Sequence, residues 1–563
     1  MRLAILVLVG VLAAAGQEDR SQHQHGVAGL GAVNFTTSCN PAAQKLISRG
    51  AALLHSFGYE EARLTFAEAA KADPACGMAH WGVARTWYHP IWAPPSPTEL
   101  KQGAAALERA VAIGAKTQRE RDIIDSLGVF YKDWQTADNA SRATAYEQAL
   151  AKVSERYPDD DEAAIFHALQ MVAIGYLDPA DKTYQWQKKG AEILNRLLPR
   201  HRNHPGVAHY IIHSVDYPST AELGLQAARA YAQIAPDSSH AQHMPSHIFT
   251  RLGLWDDSIV SNIAAAQSAI AQAQRLHGGG AAFDQLHAID YLVYAYLQEA
   301  KDKSAQKLVA EVAAITRLDE NQFAAAYAFA ATPARWALER HDWKAAAALE
   351  IRPAWFPWNQ FRNVEALVYY AKAIGAVRAG DAAAARRSAA EITAIRKALP
   401  ASRDYDWAGS IAAQEEAATA LIAFVEGKKS EGLRLLHTAA DRQDAVDKHP
   451  VSPGAVLPVR EILADLLLEN GSAQEAVKQY EAVLKIAPRR FNATAGVAKA
   501  AAQAGDASKA RAYTRQLLEM CKGADTIRPE LAWARAYLAG SKAGRLRGGD
   551  FPLSVPQENR GVL

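Results

Sequence analysis

Histidine is the side chain of this sequence whose placement most suggests chemistry. Seven of the eighteen histidines fall between His201 and His247. Within that window H-x-x-x-H occurs twice, as His209 with His213 and as His243 with His247. Residues four apart on a helix share one face, with Cβ atoms about 6 Å apart. Such a pair can hold a metal ion or an anion between its rings. The two pairs are also separated by a constant offset, since 243 − 209 = 34 and 247 − 213 = 34.

Neutral imidazole with a carboxylate suits zinc, copper, iron or manganese. Asp216 follows His213 closely enough to supply the carboxylate, so the expected metal set is His209, His213, His243, His247 and Asp216. Four protein ligands would make a closed structural site, and three with an open position would permit chemistry. Asp216 and Asp290 could instead orient a ring or act as a general base. Other readings need no metal: a groove for an anionic or peptide ligand, histidines that only satisfy internal hydrogen bonds, or an enzyme using His and Asp as base and acid. Whether the chain is an enzyme stays open at this level.

The elements that must position these residues are helices. Alanine dominates, apolar residues recur at spacings of three and four, Gly or Pro marks most breaks, and strand signals are nearly absent. From Ala43 to Cys76, Gly50 permits a close helix approach, Gly58-Tyr59 makes a turn, and Ala62, Phe66 and Ala69 form an inner stripe that Pro74 ends. This order resembles the tetratricopeptide repeat (TPR), a helical hairpin whose period is about 34 residues. From Leu457 it recurs in Ala464, Ala476, Tyr480 and Pro488, then again in Ala498 and Ala510. Further copies are readable near Trp255, Asp302, Trp343 and Gly380. The expected fold is an all-α TPR-like solenoid, a superhelix of stacked hairpins.

In repeats of this kind the first helix lines the concave face, and its positions 2, 5, 9 and 12 face a ligand. Counted from Pro205, His209 is position 5, His213 is 9 and Asp216 is 12. Counted from Ser239, His240 is position 2, His243 is 5 and His247 is 9. After a Gly278-Gly279-Gly280 insertion, His287 takes position 2, Asp290 position 5 and Tyr294 position 9, and Arg335 falls at 9 one repeat on. Neighbouring helix axes lie roughly 8–10 Å apart, so the four imidazoles of the two pairs should meet on one patch. His240, His287, Asp290, Tyr294 and Arg335 would line the groove around it. The Met244-Pro245 step should interrupt helix hydrogen bonding and re-aim His243.

The blocks His204-Pro-Gly-Val-Ala-His-Tyr-Ile-Ile-His213, His243-Met-Pro-Ser-His-Ile-Phe249 and His287-Ala-Ile-Asp-Tyr-Leu-Val-Tyr294 resemble those of a group of secreted bacterial TPR proteins. The resemblance spans nearly the whole mature chain. It implies the fold and an exported setting, and no particular activity.

Export is also read from the start of the chain. Arg2, the apolar run Leu3 to Ala15 and the small residues Ala13 to Gly16 read as a signal peptide over 1–16, with a retained anchor as the alternative, and the expected location of the mature protein is the periplasm or outside the cell. In an oxidising compartment Cys39 and Cys76 can staple the first hairpin with a disulfide, and two buried thiols are the alternative. Residues 17–40 read as an extended arm, with His23 and His25 in a polar tail. A solenoid carrying the histidines follows over 41–300, a second over 301–543, and a loose tail over 544–563. With 62 basic and 60 acidic residues and no basic run, nothing points to nucleic acid. No later stretch is apolar for long enough to cross a membrane. The expected partner is a small molecule, peptide or protein in the concave groove.

Two aromatic, proline-bearing loops, Trp87 to Pro97 and Trp355 to Trp358, read either as lids or as packing. His55, His80 and His89 share no helical face and stay outside the ligand set. Lys448 to Gly454 reads as an inter-repeat linker.

Overall fold

A computed structural model describes residues 29–91, 94–400 and 405–540. The signal segment, His23, His25, Trp92 and the C-terminal tail lie outside the described residues. Among the described residues the protein is a succession of antiparallel helical hairpins with no strand, only one isolated bridge between Ala281 and Leu318. The all-α TPR-like solenoid is the observed architecture. No helix among these residues is long and apolar enough to cross a membrane.

The first hairpin shows why the repeat forms. Asn40 accepts a hydrogen bond from the Ala43 N–H at 2.9 Å, capping the Pro41–His55 helix, whose Pro41 sits where no donor is needed. Tyr59–Ala72 returns against it, and Gly77–Arg85 opens the next repeat. Gly50 and Gly82 both abut the fully buried Phe66. A Cβ on Gly82 would stand 2.2 Å from the Phe66 ring, so only glycine lets the two helices close on that ring. Burying it contributes roughly 1.5–3 kcal/mol. A disulfide joins Cys39 to Cys76, whose Cα atoms are 5.2 Å apart.

The solenoid winds tightly enough for distant repeats to touch. The turn after Pro41–His55 reaches the Pro205–Val215 helix, and the Tyr231 hydroxyl donates to Ser56 Oγ at 3.1 Å. Farther on, Phe491 N–H donates to Gln298 Oε1 at 2.8 Å and Trp255 Nε1–H to the Arg489 carbonyl at 3.0 Å. Arg490 is buried between Glu339 and Glu461, at 2.7 Å from each. Phe283–Gln298 packs on Phe323–Leu338, so helix stacking continues across residue 300.

Both aromatic loops are packing elements. Tyr88 is buried, Arg63 lies 4.2 Å over the Trp87 ring, and His89 stacks on Tyr59 at 4.1 Å. Phe356 and Trp358 are buried against Phe329 and Phe361, with Trp355 left 44% exposed. The segment read as a linker, Lys448 to Gly454, turns inward instead. Its Lys448 reaches Asp216 at 3.2 Å, and its Gly454 carbonyl accepts from Arg335 Nη2 at 2.8 Å.

Candidate metal centre

Three short elements carry the histidines. His204 caps Pro205–Val215 by accepting the Val207 N–H at its Nδ1, and Ser238 caps Ser239–His243 through Ala241 N–H. Pro245 removes one backbone donor, yet Met244 keeps helical angles (φ −55°, ψ −34°). Ser239–His243 and Pro245–Leu252 are separate helices joined at Met244, where the His247 N–H donates to the Met244 carbonyl at 3.1 Å. The His243 Nε2 lies 3.0 Å from that of His247. Phe283–Gln298 brings His287 alongside, with 4.2 Å between the His243 and His287 ring centroids.

The expected single patch of four imidazoles is in fact two groups of three. His209, His213 and His240 form one, and His243, His247 and His287 the other, each with ligand atoms within 4.8 Å of one another. All six are buried, at 0–7% exposure. The groups adjoin, with 6.3 Å between the His213 and His247 centroids and 6.4 Å between those of His240 and His243. His240 and His287, expected to line the groove, thus complete the two groups.

Asp216 joins neither group, which corrects its place in the expected metal set. Its Oδ2 accepts from His247 Nδ1–H at 2.9 Å and from Lys448 Nζ at 3.2 Å, and its Oδ1 from Arg251 Nε at 2.8 Å. Standing behind His247, it orients the ring from the side away from His243. Asp290, Tyr294 and Arg335 are also elsewhere. Arg335 pairs with Asp290 at 2.8 Å and lies 5.0 Å over the Tyr294 ring, under the 452–454 turn.

The hydrogen bonds fix where the ring protons sit. The Asp216 carboxylate can only accept, so His247 carries its proton on Nδ1. Asn262 Nδ2 donates to the Ser258 carbonyl, which leaves Asn262 Oδ1 to accept from His243 Nδ1–H at 2.7 Å. Both Nε2 atoms of this pair therefore present bare lone pairs, 3.0 Å apart. The one Tyr291 hydroxyl proton has three acceptors at 3.3–3.4 Å, His247 Nε2 and the Pro450 and Ser452 carbonyls. Whichever it serves, no proton lies between His243 and His247.

In the first group the His55 carbonyl takes the His209 Nδ1–H at 2.7 Å, which bares His209 Nε2 toward His240 Nε2 at 3.0 Å. Neither ring nitrogen of His213 meets a hydrogen-bond partner among the described residues, although the side chain is 2% exposed. Buried polar groups are normally satisfied, so an imidazole in this state has both nitrogens open to a water or an ion.

Protonation does not offer a way out near neutral pH. Burial, reinforced by neighbouring imidazoles, holds His209, His213, His240, His243 and His287 well below the usual histidine range. Burial also lowers His247, against the pull of Asp216. Burial would raise Asp216, but Lys448, Arg251 and the His247 N–H hold it well below the ordinary carboxylate range. Lys448 is pushed down to about 8 by burial, despite Asp216.

A third cluster contains His55, Glu162 and His204 and behaves differently. His204 Nδ1 is occupied as an acceptor, so Nε2–H donates to Glu162 Oε1 at 3.1 Å. His55 Nε2 faces Glu162 Oε2 at 3.0 Å, and its Nδ1 meets the Tyr210 hydroxyl at 3.0 Å. Every ring nitrogen here has a complementary partner. This cluster is a saturated hydrogen-bond network.

The wall facing the first group is Phe57, whose ring lies 4.4 Å from His209, 5.6 Å from His213 and 5.3 Å from His240. It holds a left-handed backbone (φ 56°), which is uncommon for a bulky residue and drives the ring into the chamber. The six histidines form a buried cluster and do not face the open groove expected for a peptide. Sequence spacing could reveal neither Phe57 nor the roles of His55, Asn262 and Lys448, because none of them shares a repeat position with the histidines it serves.

No protein-family model matches the sequence, and no curated protein matches it. The chain is similar to solved helical-repeat structures: the human IFIT1 dimer with PPP-AAAA (11% identity, 84% of this chain and 89% of that one, TM-score 0.35), yeast Tom70 (12%, 89% and 96%, 0.28) and the P58(IPK) TPR domain (12%, 65% and 98%, 0.20). At these scores the likeness bears on no residue of the chamber.

Proposed function

We propose that this solenoid binds transition-metal ions in its six-histidine chamber, through two sites of three imidazoles each. The observation that carries the reading is the pair of lone pairs on His243 Nε2 and His247 Nε2, fixed 3.0 Å apart by Asn262 and Asp216. Two nitrogens about 2.0–2.1 Å from one ion lie roughly 2.9 Å apart at a right angle and about 3.4 Å apart at the tetrahedral angle. A shared cation turns a repulsion into two bonds. Rings held through Nδ1–H by a carboxylate, an amide and a carbonyl are the arrangement that metal-bearing histidines use.

The donor sets narrow the choice of metal. With Asp216 outside both groups, the ligands are imidazole alone, which favours zinc, copper or iron over the carboxylate-seeking manganese. Three protein ligands leave at least one coordination position open, so a bound ion could store charge or act on a small molecule. A periplasmic or secreted location belongs to the same proposal. The Cys39–Cys76 disulfide supports it, because such bonds persist in oxidising compartments. Solenoids of this architecture commonly present their surfaces to partner proteins. A partner could use the outer face, but the histidine wall is closed to it.

Elemental analysis of protein purified from its own compartment tests the reading directly. About two equivalents of one transition metal are expected, with His247→Ala losing one. Metal below a tenth of an equivalent in native protein, together with no uptake of zinc or copper by the chelated protein, would sink it.

A further inference from the structure

A second candidate site lies on the far side of Asp216. A cavity of about 750 Å³ is bounded there by Arg251 and Lys448 at one end and by Tyr184, Tyr405 and Trp407 along its walls. Its volume falls in the range of sites that enclose small organic molecules, roughly 300–1,000 Å³. In the His55–Glu162–His204 network every ring nitrogen already has a hydrogen-bond partner, so it leaves no comparable opportunity.

The charges of the cavity are not evenly matched. Lys182 is answered by Asp447 at 2.8 Å, and the lining Asp444 shares Arg460 with Asp441, each at 2.5 Å. Arg251 and Lys448 must share the single carboxylate of Asp216, at 2.8 and 3.2 Å. Both cations are at least nine-tenths buried, Lys448 with a side chain only 10% exposed. The two cations thus have one directly bonded carboxylate between them, with Asp447, already held by Lys182, acting on both from farther away, and buried charges are normally paired. His449 adds a donor: its Nδ1 accepts the Val451 N–H at 3.2 Å, so in the neutral ring Nε2 carries the proton. Two cations on one directly bonded carboxylate leave room for one further monoanionic oxygen pair, which a doubly charged phosphate would overshoot. The remaining wall is flat and apolar, with Trp407 stacked 5.2 Å from His449 and Tyr184 4.1 Å from Tyr217.

We propose that this cavity is a binding site for a small monocarboxylate with an aromatic or apolar body, its carboxylate on Lys448 and Arg251 and its body against Tyr184 and Trp407. The site is independent of whether the chamber holds metal.

Titration calorimetry on the full chain tests it with four probes, namely phenylacetate, 3-phenylpropionate, benzoate and hexanoate. 2-Phenylethanol serves as the neutral counterpart and inorganic phosphate as the anion control. At least one carboxylate should bind with one-to-one stoichiometry, at least tenfold more tightly than either control. Lys448→Met leaves Arg251 and Asp216 balanced one to one, so the fold should persist while carboxylate affinity falls at least tenfold. Trp407→Ala, a change at the opposite wall, should weaken the aromatic probes more than hexanoate. The proposal is overturned if none of the four binds at millimolar concentration, if 2-phenylethanol or phosphate binds as well, or if neither variant alters binding.

Discussion

Asn262→Leu separates a metal chamber from a merely structural histidine cluster, because the two readings expect opposite results from it. Asn262 is fully buried and accepts the His243 Nδ1–H at 2.7 Å. Leucine keeps nearly the same volume and removes the acceptor. In metal-free protein His243 is then free to move its proton to Nε2, where it can donate to His247 Nε2 across the existing 3.0 Å. One hydrogen bond of about 1 kcal/mol is exchanged for another, so the metal-free protein should stay within about 1 kcal/mol of the parent. The metal-bound form cannot make this switch, since the ion needs the Nε2 lone pair. Losing such an orienting partner typically weakens metal binding about 10–100-fold, or roughly 1.4–2.8 kcal/mol.

The assay is zinc titration against a competing chelator, paired with denaturant unfolding of the chelated protein. A tenfold or greater loss of affinity at one of two sites, with near-parental stability, is the expected pattern. If the rings are only structural, the same proton shift keeps stability within about 1 kcal/mol of the parent, and the substitution changes no metal affinity. That second pattern would refute the metal reading.

Acid should destabilise the chelated protein steeply. Burial holds the six imidazoles below their unfolded values, so their contribution is full above about pH 6.5 and is lost as pH falls through it, at up to about 1.4 kcal/mol per pH unit for each ring. His247 should give less, because Asp216 opposes its shift; equal unfolding midpoints in urea at pH 7.5 and 5.5 would contradict the account. Phe57→Ala removes the wall over His209, His213 and His240 without touching a ligand, so zinc should transfer to a chelator at least tenfold faster at similar affinity, as stopped-flow would show. Glu162→Gln turns an amide N–H toward the donors of the saturated cluster and should cost about 1–3 kcal/mol; metal content by elemental analysis should stay unchanged, and a drop would make that cluster a third site.

The hairpin architecture was legible because it is local. Gly50, Phe66 and Gly82 lie within one repeat, and the contact they make is the one their spacing implies. The period of 34 also placed His209 and His243, and His213 and His247, at equivalent points. The sealing of the chamber was not legible. It depends on superhelical curvature, which sums small rotations over many repeats and brings Phe57 and Lys448 to histidines 150–230 residues away. Asp216 was misplaced for a similar reason. Its distance from His213 is set by one helix, but its role is set by Arg251 and Lys448, which hold it behind a ring of the following repeat.

The way the two groups are assembled is itself an argument that they are two copies of one site. Each takes positions 5 and 9 from one repeat and position 2 from the next: His209 and His213 with His240, then His243 and His247 with His287. The second junction contains the Gly278–Gly280 insertion, so the separations along the chain differ, 240 − 209 = 31 against 287 − 243 = 44. Copying of a repeat alone would preserve the sequence spacing and leave position 2 to drift once residues were inserted. Here the spacing has changed and the three-ring geometry persists, with ligand atoms within 4.8 Å in both groups. Geometry kept across an insertion fits the proposed shared ligand, and in the second group the bare nitrogens fixed by Asn262 and Asp216 gain nothing from proximity without a cation between them.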